Sequence, residues 1–243
     1  MYPIKSIVKI GVPLAVAAAA LITAKAKEES AEKKEQPKGD APIIAALGDS
    51  ITFGDGVVKT RSVDTWERKL QRELKGSYQV LNYGVRGATL QNEGDLPYWN
   101  MPDQALRGFP EAALALNPEI VILMLGTNDS KPYNWNRGRF EAQLDMRVKE
   151  IRAIPSVKRL ILMCPPYVCP ADGSGTVAYD ISGEVIRDEV CPIVKKCAGE
   201  NGAECIDLYE LTQGHGEYFA DGVHPNSFGN RVIASAVHRQ IVG

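Results

Sequence analysis

Few side chains in this sequence are placed to make and break covalent bonds. Ser50 lies in Gly48-Asp49-Ser50-Ile51-Thr52, directly after an apolar run. Acyl transfer needs a hydroxyl nucleophile, an imidazole to take its proton and a carboxylate to orient the imidazole. The chain offers three histidines, His215, His224 and His238. His238 adjoins Arg239 in what reads as a terminal helix and is expected at the surface, and His215 stands between two glycines in a loop. His224 follows Asp221 by three residues and precedes Pro225, which stiffens the loop. A carboxylate so placed can hydrogen-bond one ring nitrogen and leave the other for Ser50. Donors for the oxyanion of a tetrahedral intermediate are also at hand. They are the Ser50 N–H at a helix start, the unobstructed N–H of Gly87 and the side-chain amide of Asn128.

The surrounding pattern says how these residues would meet. Five short runs, 42–47, 79–83, 120–125, 160–164 and 203–208, are nearly continuous in apolar residues. Strands buried on both faces read this way. Between them the period is helical. Trp66, Leu70 and Leu74 form a stripe behind Ser62, a candidate N-cap, and Phe140, Leu144, Val148 and Ile151 form another. Residues 180–199 and 227–242 read as two more helices, with Pro192 kinking the first or opening a new turn in it. Strand–helix alternation in one direction predicts an α/β fold with a five-stranded parallel sheet and helices on both faces. Ligands bind such folds beyond the carboxyl ends of the strands. GDSIT follows the first run, Asn82–Ala88 overlaps the end of the second, Gly126–Asp129 follows the third, and Asp221–Asn226 lies beyond the fifth. Singly, each segment would pass for a turn or a helix-capping loop. In this order, at one rim of one sheet, they point to a single site.

Composition narrows the class. Hydrophobic residues make up 44% of the 243, enough for one sizeable core. The formal net charge is −2 and no block of like charge suggests a nucleic-acid partner. Lys5 and Lys9, an alanine-rich run over 10–24 and the small-x-small Ala24-Lys25-Ala26 have the layout of a signal peptide over residues 1–26. An uncleaved membrane tether is the other reading. The charged stretch 27–41 reads as a solvated linker and 42–243 as the folded domain. The expected location is periplasmic or secreted, with no stable membrane partner after cleavage. Export permits disulfides among Cys164, Cys169, Cys191, Cys197 and Cys205, in a pattern that spacing leaves open. With neither a CxxC pair nor HExxH, no metal or other cofactor is expected.

GDSIT, NYGVRGAT, GTND and DGVHPN together, in this order, resemble the four sequence blocks of the SGNH hydrolases, also called GDSL esterases. The resemblance implies a three-layer α/β/α, flavodoxin-like sandwich. It implies Ser50 as nucleophile, Asp221 and His224 as its general-base pair, and an oxyanion hole of the Ser50 N–H, Gly87 and Asn128. The first block has Ile51 where the short family name has leucine, a position on which no implied role depends. Asp49 and Asp129 read as hydrogen-bond organisers of their loops, and Arg86 as half of a surface salt bridge. Among the loop aromatics Tyr98, Trp99, Tyr133, Trp135 and Tyr167, the candidate substrate contacts are Tyr133, Trp135 and Trp99. Flat rings suit both sugar faces and plain loop packing. The expected activity is hydrolysis of a short acyl ester, acetyl above all, on a small molecule or glycan. Lysophospholipase, thioesterase and acyltransferase activities on the same scaffold are the enzymatic alternatives. A catalytically inactive carbohydrate-binding protein is the alternative from another class.

Overall fold

The computed structural model describes residues 33–171 and 175–243, so the segment read as a signal peptide lies outside the described residues. The five runs form five parallel strands: β1 (Ile43–Gly48), β2 (Gln79–Gly84), β3 (Ile120–Met124), β4 (Arg159–Cys164) and β5 (Glu204–Asp207). Their order in the sheet is β2-β1-β3-β4-β5. The principal helices are α1 (Ser50–Phe53), α2 (Trp66–Glu73), α3 (Phe109–Leu114), α4 (Arg137–Arg152), α5 (Cys191–Glu200) and α6 (Ser227–Val242).

Alternation along the strands builds two cores. Ala45 and Leu47 of β1 join Val121 and Leu123 of β3 against α3, α4 and α5, through Phe109, Phe140, Leu144 and Val194. Ile44 and Ala46 join Ile120 and Ile122 against α2 and α6, through Trp66, Leu70, Ile233 and Val237. Both faces are covered, so the central strands β1 and β3 are apolar throughout, and the architecture is a three-layer α/β/α sandwich.

Local chemistry sets the helix ends, in two cases differently from the sequence pattern. Ser62 falls within a separate helical turn, Arg61–Asp64, and Thr65 takes the N-cap position of α2. The first N–H of α2, on Trp66, instead donates to the Asn230 Oδ1 of α6 at 2.9 Å. Pro192 stands in the first turn of α5, and the turn before it, Ile186–Val190, widens to a π-helix. Proline has no N–H to donate and its ring crowds the carbonyl four residues back, that of Asp188, so the helix restarts there.

The charged segment before the domain is not simply solvated where it is described. β2 is an edge strand whose outward amides have no neighbouring strand to pair with. The Glu35 carboxylate accepts the Asn82 N–H at 2.8 Å and pairs with Arg68. Gln79 Nε2 donates to the carbonyls of Gly39 and Ala41, both at 2.8 Å.

Glu67, fully buried on α2, accepts from the Asn82 side chain. Burial pushes its carboxyl up to about 7. The folded state therefore holds a proton there that the unfolded chain releases near the ordinary glutamate value, and the stability this group contributes is lost as pH rises through about 7. Glu67→Gln mimics the protonated acid. Urea unfolding is expected to show the variant gaining about 2–3 kcal/mol on the wild type between roughly pH 5 and pH 8. A difference that stays flat over that range would contradict the account.

Candidate active site

The carboxyl ends of β1, β2 and β3 carry three of the four polar segments to one rim. At the end of β1 the chain turns at once into α1. The Asp49 Oδ1 caps that helix by accepting the Ile51 N–H at 2.9 Å. A Cβ at Gly48 would stand 2.3 Å from Thr52 Oγ1 and 2.8 Å from the Met124 carbonyl, so only glycine lets this turn lie against β3. Ser50, the first residue of α1, is thereby fixed at the point where the sheet order reverses between β1 and β3. Asp49 is fully buried, and that burial raises its carboxyl to about 6 despite the backbone hydrogen bond.

His224 arrives from far along the chain. Its Nε2 lies 2.9 Å from Ser50 Oγ and its Nδ1 lies 2.7 Å from Asp221 Oδ2. The other oxygen of Asp221 accepts the N–H groups of Val223 at 3.0 Å and His224 at 2.8 Å. Gly222 between them has φ +84°, and a Cβ there would meet the Cys169 carbonyl at 1.9 Å, so the turn requires glycine. Burial works against ionisation of Asp221, but the His224 hydrogen bonds and charge outweigh it and hold the carboxyl well below the usual range. Burial likewise disfavours the imidazolium of His224. The hydrogen bond and charge of Asp221, joined by Asp55 and Asp49, overcome it and leave the ring more basic than an ordinary histidine. An imidazole so held can take a hydroxyl proton on one nitrogen while a fixed anion stabilises the charge that results.

The opposite wall carries the candidate oxyanion donors. Asn128 opens a helical turn after β3, and its Nδ2 donates one hydrogen to the Ala88 carbonyl at 3.2 Å, which fixes the plane of the amide beside Gly87. Asp129 ties two of the segments together: its two oxygens accept the N–H groups of Leu90 and Gln91, each at 2.9 Å. Its complete burial raises the carboxyl to about 6. Ser50, Gly87, Asn128, Asp221 and His224 line one cavity of about 390 Å³, together with Asp55, Thr127, Lys131, Tyr179, Ile181 and Val223.

The aromatic expectations fare differently. Trp99 is buried in the core edge-on to Tyr98, with the Arg147 guanidinium 4.8 Å above its ring. Trp135 packs against Phe140. Tyr133 is exposed, with Lys131 near its ring, but does not line the cavity. Both indoles spend apolar area on packing beside α4, against its Arg147 and Phe140. The ring that does stand at the cavity is Tyr179. It was missed because its segment shows no periodicity and no family block. Asp55 also lines the cavity without any signal in the sequence, and Arg86 pairs with it at 2.5 Å. His215 stacks on Tyr218, and neither it nor His238 lines the cavity.

All five cysteines are thiols in the structure. Cys164, Cys191 and Asp207 place two sulfurs and a carboxylate oxygen within 4.8 Å of one another. Of that group, Asp207 pairs with Lys195 at 2.6 Å and the Cys164 thiol donates to the Cys191 carbonyl at 3.7 Å.

Fold and site together define a class, a three-layer α/β/α sandwich on a five-stranded parallel sheet with serine, imidazole and carboxylate in line at the rim of that sheet. The chain belongs to the GDSL-like lipase/acylhydrolase family, whose model matches residues 46–232. An acetylxylan esterase of Xylanibacter ruminicola is 36% identical over 219 residues, which are 83% of this chain and 43% of that protein. The chain thus spans less than half the length of that relative. Among solved structures, an arylesterase candidate from Agrobacterium tumefaciens str. C58 is 26% identical with a TM-score of 0.66, covering 83% of this chain and 98% of its own. A carbohydrate acetylesterase family member from Sinorhizobium meliloti has the same fold, at 20% identity and a TM-score of 0.64, over 82% of this chain and 97% of its own.

Asp129→Asn sets an amide NH2 against a backbone N–H that needs an acceptor. Chemical denaturation is expected to show a loss of about 1–3 kcal/mol. Unchanged stability would mean that the two loops are held some other way.

Proposed function

We propose that this chain is a serine esterase that removes short acyl groups, acetyl above all, from carbohydrates through an acyl-enzyme on Ser50. The hydrogen-bonded line Ser50–His224–Asp221 carries the reading. Ser50 Oγ attacks the ester carbonyl as His224 Nε2 takes its proton. The oxyanion is received by the N–H groups of Ser50 and Gly87 and by the Asn128 amide. His224 then returns the proton to the departing alcohol, and water releases the acid by the same steps in reverse roles.

The cavity favours a small acyl group on a polar alcohol. Of its lining residues only Ile181 and Val223 are aliphatic, whereas Asp55, Lys131 and Tyr179 offer charge and hydrogen bonds. A long acyl chain needs a continuous apolar groove, and desolvating Asp55 and Lys131 against it would be costly. The acetylxylan esterase relative points the same way. On the same reading, residues 1–26 are an export signal and 27–41 a linker to the domain at 42–243, with an exported glycan ester as the substrate met outside the cytoplasm.

The wild type is expected to release acetate from acetylated xylan and from p-nitrophenyl acetate. Ser50→Ala should lose activity by a factor of about 10⁴ or more, and Asn128→Ala by roughly 10²–10³ in kcat with little change in KM. Hydrolysis by Ser50→Ala at the wild-type rate would remove the nucleophile, and activity confined to long-chain lipid esters would remove the substrate class.

The pH profile follows from His224. The base must be neutral to accept the serine proton, and its basicity is raised above that of an ordinary histidine. Activity should therefore fall on the acid side, with the limb of kcat/KM centred above the ordinary histidine value of about 6.5. A limb well below that value would mean that Asp221 does not stabilise the imidazolium.

A further inference from the structure

Tyr179 touches the relay from outside. Its phenol O–H donates to Asp221 Oδ2 at 2.9 Å, the same oxygen that holds His224 Nδ1. Its ring stands edge-on to the imidazole, with centroids 5.3 Å apart and planes at 65°. The residue is 56% exposed and lines the cavity wall. Its backbone is left-handed, with φ 62° and ψ 24°, and the next residue, Asp180, has φ 59°. Two successive residues with side chains are rarely held in this region, and such strain persists where surrounding contacts over-determine it.

The position fixes which part of a substrate the ring would meet. The acyl carbonyl must lie beside Ser50, Gly87 and Asn128. The alcohol must lie beside His224 Nε2, which returns the proton to it. Tyr179 stands on the His224 side. We propose that Tyr179 is a positioning residue that clamps Asp221 through its hydroxyl and offers its exposed face as the platform for the departing sugar alcohol. The proposal rests on the esterase reading and assigns its alcohol subsite.

The hydroxyl has a signed effect on the base. By sharing Asp221 Oδ2 it draws charge away from the contact with His224, so removing it should leave the imidazolium better stabilised. The other charged groups facing His224 are Asp55 and Asp49, with Lys131 on the same cavity. None of them changes in Tyr179→Phe, which keeps the ring and removes the one donor.

The test uses the full chain as wild type, Tyr179→Phe, Tyr179→Ala and Ser50→Ala. The substrates are an acetylated xylo-oligosaccharide and ethyl acetate, whose alcohol has no face to stack. Tyr179→Phe should move the acid limb of kcat/KM to higher pH by several tenths of a unit on both esters and lower kcat, with KM unchanged. Tyr179→Ala should in addition raise KM for the sugar ester about threefold to tenfold more than for ethyl acetate. An acid limb unmoved in Tyr179→Phe, or equal losses on both esters in Tyr179→Ala, would overturn the proposal while leaving the esterase reading intact. Full activity in Ser50→Ala, or no hydrolysis of either ester by the wild type, would overturn the esterase reading itself, and this proposal with it.

Discussion

One hydrogen bond makes demands on the whole molecule: Ser50 Oγ to His224 Nε2, 2.9 Å across 174 residues of chain. Such a bond weakens steeply with a few tenths of an ångström or a modest change of angle. Both ends therefore need rigid supports that share a frame. Ser50 has the sheet behind it, through β1 and the capped start of α1. The loop of His224 has Asn230, whose side chain is fully buried. Its Nδ2 donates to the carbonyls of Pro225 at 2.7 Å and Asn226 at 3.0 Å, while its Oδ1 accepts the Trp66 N–H. One amide thus locks the histidine loop to the start of α2. The layer that covers one face of the sheet is also the bracket that holds the base.

Charge is distributed with the same economy. Asp49, Asp129 and Glu67 are completely buried, and burial raises them to about 6, 6 and 7. Asp221 is only partly buried and receives two backbone N–H groups, a phenol O–H and the imidazole N–H. It therefore stays ionised where the others are reluctant to. Near neutral pH a firmly held negative charge faces His224 on the side away from Ser50, which is where a developing imidazolium needs it.

Much of this was legible in the sequence, for physical reasons. A strand buried on both faces carries mostly apolar residues, so β1 to β5 announced themselves as largely apolar runs and their order placed the polar segments at one rim. Ser50, Asn128, Asp221 and His224 were legible because the chemistry they suit restricts residue type and because the four blocks are short and local. What was hidden depends on contacts between distant residues. Asn230 looks like any polar residue within a helix, yet it caps a different helix. Glu35 looks like part of a solvated tail, yet it serves an edge strand. Trp99 and Trp135 suit sugar faces by type, but they pack against Tyr98, Arg147 and Phe140 instead. Tyr179 owes its place to two left-handed residues that no propensity forecasts.

The arrangement also separates two kinds of specificity. The wall that would receive the acyl group is built by the loops after β1, β2 and β3, which Asp129 stitches together through Leu90 and Gln91. The wall that would receive the alcohol is built by the histidine loop and by the segment carrying Tyr179 and Ile181. The first wall is part of the sheet's framework, and changing its size disturbs Ser50 and Asn128 directly. The second meets the relay through the Tyr179 hydrogen bond to Asp221, the Tyr179 ring against His224 and the loop that Asn230 clamps. A fold organised in this way can keep one acyl subsite while its alcohol subsite changes, because the group that orients the base and the face that meets the alcohol lie on segments outside the sheet's own rim.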